Sequence, residues 1–366
     1  MCGIAGIFDL KGDRAINQAA LKRMTDAIAH RGPDGEGFFI APGIGFGHRR
    51  LAIIDIEGGA QPFIASDGAS ALTYNGEIYN YRDLRTLHAE RGVPLKTRSD
   101  TEALAEGFLR EKIRYLDQVR GMFAFGFWNA SDRRLTLARD RFGEKPLYYA
   151  ETPDGFLIFA SEIGAIRASG LTPLIHSPEA LHDYFLYGYV PDPKTIYQGV
   201  FKLPPGSMLE ARRGEEISIA RYWRAHFEPD YSMTIESARK SLLELFDDAV
   251  ASELESEVPL GAFLSGGVDS SSIVASIAQT RRSLTTCTIG FDDAASDERA
   301  YARATAARYS TNHTEEVVRI DASSLIDRIA GVYGEPFADA SALPTYLVSA
   351  AARKHVTVAL SGDGGD

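Results

Sequence analysis

Met1-Cys2-Gly3-Ile4-Ala5-Gly6-Ile7-Phe8 is the stretch on which the reading of the fold turns. Removal of the initiator methionine, which a small second residue tolerates, would leave Cys2 first. That residue would carry both a nucleophilic sulfur and a free amine, and near neutral pH the amine can take the thiol proton. A second-position cysteine is usually an inert buried residue, so the rest of the chain has to decide. Gly3–Phe8 itself reads as a strand.

Working outward, the first half reads as short strands broken by turns: Gly35–Ile40, Gly45–Ile54, Ala71–Asn75, Met122–Trp128, Arg134–Asp140, Leu147–Ala150 and Phe156–Ser161. The nearly continuous aromatic run Met122–Trp128 is expected of a strand covered on both faces. Helical patterns intervene at Ala19–His30, Tyr81–Arg91, Asp100–Glu111 and Ser177–Tyr187, the last opening with a serine cap, a proline and a glutamate. A layered α+β domain is implied. From about Pro191 to Asp230 the pattern loosens into a connecting region with a small hairpin.

Beyond that region strands and helices alternate. Helix Ile235–Glu255 precedes strand Leu260–Leu264, and strands Leu284–Phe291, His313–Val318 and Val356–Leu360 follow, separated by helices. Such alternation implies a parallel sheet with helices on its faces. The chain stops in the loop Ser361-Gly362-Asp363-Gly364-Gly365-Asp366, which reads as an interruption, because a glycine-rich loop after a strand normally leads into a helix.

The 366 residues carry a net charge of −11, which argues against a general nucleic-acid or membrane-surface binder. Only two cysteines occur, and bridging Cys2 would consume the nucleophile, so a reduced, cytoplasmic setting is expected. No apolar run approaches a membrane span, and no signal peptide is apparent.

The strongest chemical signal in the second half is Leu264-Ser265-Gly266-Gly267-Val268-Asp269-Ser270-Ser271, between a strand and a helix. Two glycines let successive N–H groups turn toward one anion, and the hydroxyls and helix start add donors. An aspartate there suits a phosphate only with Mg2+ between them. No Gly-Lys-Ser/Thr follows, so this is not a Walker A loop. In a parallel sheet the Ser361–Asp366 loop would emerge at the same edge, so Asp269 and Asp366 could hold one metal.

Ser265–Ser271 resembles the pyrophosphate loop of ATP-pyrophosphatases. With Met1-Cys2-Gly3-Ile4 the whole chain from Cys2 to Asp366 resembles glutamine-hydrolysing asparagine synthetases, class II glutamine amidotransferases joined to a synthetase domain. The likeness is carried also by His30-Arg31-Gly32-Pro33-Asp34, Arg49–Asp55, Gly59-Ala60-Gln61-Pro62, Tyr74–Asn80, Ser99-Asp100-Thr101-Glu102, Arg139–Tyr149 and Ala160-Ser161-Glu162.

The resemblance implies an N-terminal nucleophile hydrolase domain, an αββα sandwich, over residues 2–212. A linker over 213–232 and the first part of an α/β ATP-pyrophosphatase domain over 233–366 follow. It implies Cys2 as nucleophile, with an oxyanion hole from the Asn75 side chain and the Gly76 N–H. Arg50 would bind the glutamine carboxylate and Asp100 its ammonium, with Glu77 sharing that task and Leu51 and Ile53 lining the pocket. The Arg31-Gly32-Pro33 segment reads as a covering loop, and His30 and His48 as structural. ATP would lie over Leu264, Ser265, Gly266, Gly267, Asp269, Ser270, Ser271, Ile289, Ser361 and Gly362, with Asp269 and Asp366 on Mg2+.

Asp363 would lie near the acyl-adenylate, where asparagine-forming relatives commonly have glutamate. That departure, and the block Glu335–Tyr346, leave the acceptor carboxylate open between aspartate, which leads, and a sugar acid or secondary metabolite. A chain with glutaminase or nucleotide-binding activity alone is the other alternative. The implied reaction releases AMP and pyrophosphate, with ammonia passing along an apolar tunnel between domains. A homodimer is left open.

Overall fold

The computed structural model describes residues 1–280, 283–290, 297–318 and 322–364. The chain divides into two compact units, one of residues 1–225 with 330–338, the other of residues 226–329 with 339–366.

The first unit is built on two six-stranded antiparallel sheets. One places the strand Gly3–Asp9 between Phe156–Ala160 and Ile44–Arg50, with Gly35–Ala41, Tyr148–Glu151 and Val200–Lys202 outside them. The other runs Ser218–Arg221, Ser207–Arg212, Arg134–Arg139, Gly121–Asn129, Ala71–Ile78 and Phe63–Ile64. Between the sheets lies a core of Ile4, Phe8, Phe46, Ala124, Trp128, Leu137 and Phe159. Helices Gln18–Ala27 and Ile163–Ser169 cover the outer face of the first sheet. Helices Tyr81–Glu90 and Asp100–Glu111 cover that of the second. The layers are therefore αββα. Every residue from Phe123 to Asn129 is buried, as the aromatic run predicts for a strand covered on both faces.

Two sequence readings shift. The expected strand Gly45–Ile54 ends at Arg50, where the chain turns away and directs Leu51–Ile54 to the site. The expected strand Ala71–Asn75 continues to Ile78, so Asn75 and Gly76 lie inside a strand although Asn-Gly is a strong turn signal. Gly76 belongs there because a Cβ would stand 2.1 Å from the Met122 carbonyl oxygen.

In the second unit four strands form one parallel sheet in the order Asn312–Val317, Thr285–Gly290, Leu260–Phe263, Val358–Leu360. The first three run outward in succession and the last pairs on the opposite side of Leu260–Phe263. The order reverses there, and the loops after Leu260–Phe263 and after Val358–Leu360 meet at the carboxyl edge, where open α/β sheets bind ligands. Helix Val268–Thr280 begins in the first of those loops. No helix among the described residues is long and apolar enough to cross a membrane.

Candidate active site

Strand pairing brings the first site together. Gly3 lies opposite Arg49, so Cys2 stands beside the chain leaving Arg50. The Leu51 N–H donates to Cys2 Sγ at 3.4 Å, and the thiol faces the Leu51 carbonyl at 3.6 Å. Burial pushes the Cys2 thiol up; the Leu51 N–H, the chain amine and Arg50 oppose that shift. A cavity of about 50 Å3, measured with Met1 in place, is lined by Cys2, Arg50, Leu51, Ile53, Asn75, Gly76, Glu77 and Asp100. Thus all seven expected glutamine-binding residues and the nucleophile line one cavity.

Asn75 is fully buried, and neither Oδ1 nor Nδ2 has a hydrogen-bond partner among the described residues. Leaving a buried amide unsatisfied costs about 1–3 kcal/mol per group, so such a group marks a place where a ligand atom belongs. The neighbouring strand edge is open in the same way. The Tyr74 N–H donates to Gln61 Oε1 at 2.8 Å and the Ile78 N–H to Asp100 Oδ2 at 3.2 Å. N–H groups two residues apart on a strand face the same edge, so the N–H of Gly76 is directed between those two bonds. An amide and a backbone N–H thus converge beside a thiol, as an oxyanion hole requires.

Asp100 begins the helix capped by the Ser99 hydroxyl. Its carboxylate accepts from the Tyr74 hydroxyl at 2.8 Å and the Thr101 N–H at 2.8 Å, while burial pushes its pKa up. A desolvated carboxylate of this kind suits an ammonium ligand. The Arg50 guanidinium donates to the carbonyls of Ile54, Asp55 and Ile56, which leaves its charge for a substrate carboxylate.

Sequence reasoning did not connect Arg31, Glu162 or Lys145 to the surroundings of Cys2. Arg31 is not simply a covering loop: its Nε donates to the Cys2 carbonyl at 2.9 Å and its Nη1 to Glu162 at 2.8 Å. Glu162 also holds His30 at 3.0 Å, so His30 belongs to a supporting chain. His48 is buried against Thr73 and pushed down to about 3 by burial, hence neutral. Lys145 also lines the cavity. The signal for Arg31, Glu162 and Lys145 was present in the blocks His30–Asp34, Ala160–Glu162 and Arg139–Tyr149, but nothing local pointed them at Cys2.

The loop that carries Lys145 is organised by Asp140. Its carboxylate accepts from the N–H groups of Phe123, Phe142, Glu144 and Lys145 at 2.9–3.2 Å. Asp140→Asn turns an amide N–H2 toward those donors and is expected to cost about 2 kcal/mol or more of stability, measurable by denaturant unfolding.

The second site is a cavity of about 370 Å3 in the second unit. Its lining includes Leu264, Ser265, Gly267, Asp269, Ser270, Ile289, Ser361, Gly362 and Asp363. Gly266 turns the loop at φ +90°, where a Cβ would meet Tyr301 at 2.5 Å, and it is not in the lining. Ser271 is directed to Thr305 at 3.3 Å, also away from the cavity. Ser265 and Ser270 share a 3.0 Å hydroxyl contact, and the Gly267 N–H donates to Ser265 at 3.2 Å. Phe263, Cys287, Thr288, Glu298, Pro344, Thr345 and Val348 complete the wall; Pro344 and Thr345 belong to the block Glu335–Tyr346, and the others were not expected at this site. Asp363 accepts from the Ser361 hydroxyl at 2.9 Å. Asp366, expected on the metal, lies outside the described residues. No group of three metal-type side chains occurs among those described. Asp269 and Asp363 nevertheless offer hard oxygen donors, and Mg2+ commonly takes one or two carboxylates beside substrate phosphates, so the residues fit it.

A partly buried cysteine at position 2, with an unpaired amide beside it in a sandwich of two antiparallel sheets, defines an N-terminal nucleophile hydrolase fold. The family described as "Glutamine amidotransferase domain" matches residues 1–223, and that described as "Asparagine synthase" matches 241–366. Asparagine synthetase [glutamine-hydrolyzing] 1 of Bacillus subtilis is 38% identical over 369 residues, covering 100% of this chain and 58% of the relative. Putative asparagine synthetase [glutamine-hydrolyzing] 2 of Methanocaldococcus jannaschii is 36% identical over 404 residues, covering 100% and 74%. A putative asparagine synthetase of Mycobacterium tuberculosis is 34% identical over 391 residues, covering 100% and 59%. The chain belongs to the glutamine-hydrolysing asparagine synthetase family. It spans 58% of the length of the Bacillus subtilis relative.

Proposed function

We propose that this chain hydrolyses the side-chain amide of glutamine at Cys2 and uses the nitrogen to amidate a carboxylate activated by ATP, aspartate being the leading acceptor. The observation that carries the first half is the buried, unpaired amide of Asn75 beside the Cys2 thiol. With Met1 removed, the Cys2 amine takes the thiol proton and the sulfur attacks the amide carbon. Asn75 and Gly76 hold the oxyanion, Arg50 the substrate carboxylate, and Asp100 with Glu77 its ammonium. The domains of this reading are residues 2–212 and 233–366, with 213–232 as linker, in a cytoplasmic protein.

The reading of the second half is supported by the glycine–serine loop and the Ser361–Asp363 segment that share one cavity at the switch point of the sheet. There Leu264, Ser265, Gly267, Ser270 and Ile289 would hold ATP, and Asp269 with Asp366 would hold Mg2+. The ion would neutralise phosphate charge. A second acceptor class, sugar acids or other carboxylates, is favoured by one feature: Asp363 is short and bonded back to Ser361.

Pyrophosphate release with ATP, glutamine and a panel of carboxylates tests this half. Aspartate is expected to support release, and Asp269→Asn to lower it about tenfold or more. Release with a sugar acid but not aspartate moves the acceptor; silence with all acceptors removes the synthetase reading.

A further inference from the structure

Glu298 lines the second cavity. It stands at the cap of the helix Arg299–Tyr309, but its side chain makes no capping bond there. Its main-chain carbonyl accepts from the N–H groups of Tyr301 and Ala302 at 3.0 and 3.2 Å. That turn rests on the glycine loop, because a Cβ on Gly266 would stand 2.7 Å from the Ala302 nitrogen. The backbone of Glu298 is thereby fixed within one helical turn of the loop, while the residue itself is exposed. The nearby charges of the helix are engaged with one another. Arg299 pairs with Asp297 at 2.7 Å, and Arg303 with Glu315 at 2.7 Å.

Strand order says which part of a nucleotide this carboxylate meets. Leu260–Phe263 leads into the glycine loop, the place for phosphates. Val358–Leu360 on one side leads to Ser361–Asp363, and Thr285–Gly290 on the other side leads toward Glu298. Leu264 and Ile289 line the same cavity, Ile289 from the strand that precedes Glu298. A nucleotide with its phosphates on the loop and its base against Leu264 and Ile289 carries its ribose between them, on the side of Glu298. Like charge keeps phosphate oxygens away from that carboxylate. Ribose hydroxyls are donors, and a carboxylate is an acceptor-only group with two oxygens, a match for two adjacent hydroxyls. In dinucleotide-binding sheets a carboxylate downstream of the glycine loop accepts from a ribose hydroxyl in this way.

We propose that Glu298 is a specificity-determining residue that accepts hydrogen bonds from the ribose hydroxyls of the nucleotide, so that the second site selects a ribonucleotide over a deoxyribonucleotide. The proposal rests on the ATP reading of this cavity. A site that bonds a substrate hydroxyl rejects the analogue lacking it, because the protein group is then left without its partner.

The test is binding of ATP, 2′-deoxy-ATP and 3′-deoxy-ATP to the full chain with Mg2+, by titration calorimetry without glutamine or acceptor. Wild type is expected to bind ATP about tenfold or more tightly than at least one deoxy analogue, and E298A to bind all three within about twofold. E298Q, which keeps one acceptor oxygen and loses the charge, is expected to show a smaller preference than wild type. Alanine keeps the carbonyl that Tyr301 and Ala302 use, so thermal unfolding of E298A should match wild type. A wild type that binds all three alike overturns the proposal, as does E298A with the wild-type preference intact, whether or not its affinity falls. Should E298A bind none of them, E298Q carries the test, and a preference equal to wild type overturns the proposal. A wild type that binds no nucleotide overturns the ATP reading itself, a result distinct from either.

Discussion

Replacing Cys2 by alanine is expected to abolish glutamine hydrolysis, leaving no glutamate above the rate without enzyme. The sulfur is the group that bonds to substrate, and no other side chain on this cavity wall is a comparable nucleophile. The fold should survive. Cys2 lies outside the strand Gly3–Asp9, and the main-chain carbonyl that Arg31 holds is kept in alanine. Unfolding of the variant should therefore match wild type. Full glutaminase activity in the variant would remove Cys2 from the chemistry. A second observation belongs to the same experiment: intact mass should show Met1 absent from active protein, because the amine that takes the thiol proton must be that of Cys2. Blocking methionine removal should lower activity together with labelling by the diazo-ketone analogue.

Asn75→Ala is the second large effect. Losing one donor to a developing oxyanion costs about 10²–10³ in kcat in enzymes of this logic. The loss should fall on kcat, with KM changed little, because Arg50 and Asp100 hold the substrate ends in ground and transition states alike. Stability offers the discriminating readout. Asn75 has no partner to lose among the described residues, so removing its amide should leave unfolding unchanged or shift it upward, whereas removing a bonded buried amide destabilises. A variant that loses stability and keeps kcat would show Asn75 to be structural.

Much of the architecture was legible because it rests on local periodicity. The aromatic run Met122–Trp128 had to be covered on both faces, and Gly121–Asn129 is a central strand. Strand–helix alternation after Ile235 required a parallel sheet, and the four strands are parallel. Where local signals compete with long-range pairing, pairing prevailed. Asn75-Gly76 has turn chemistry, but its pairing with Phe123 and Ala124 holds it extended. The expected strand to Ile54 stops at Arg50, the residue whose guanidinium binds back to the carbonyls of the next turn.

The sequence by itself determined which groups are chemically competent: a thiol next to the chain start, an Asn-Gly pair, a guanidinium, a carboxylate at the start of a helix, and a glycine–serine loop between strand and helix. These are properties of side-chain type and near-neighbour spacing. Only the tertiary structure decided which of them meet. Cys2 and Leu51 are 49 residues apart, and Tyr74 and Asp100 are 26 apart. Contacts over such separations depend on strand register and sheet packing, which no window of sequence encodes. The same physics placed Lys145, an ordinary residue in its own loop, in the wall of the Cys2 pocket.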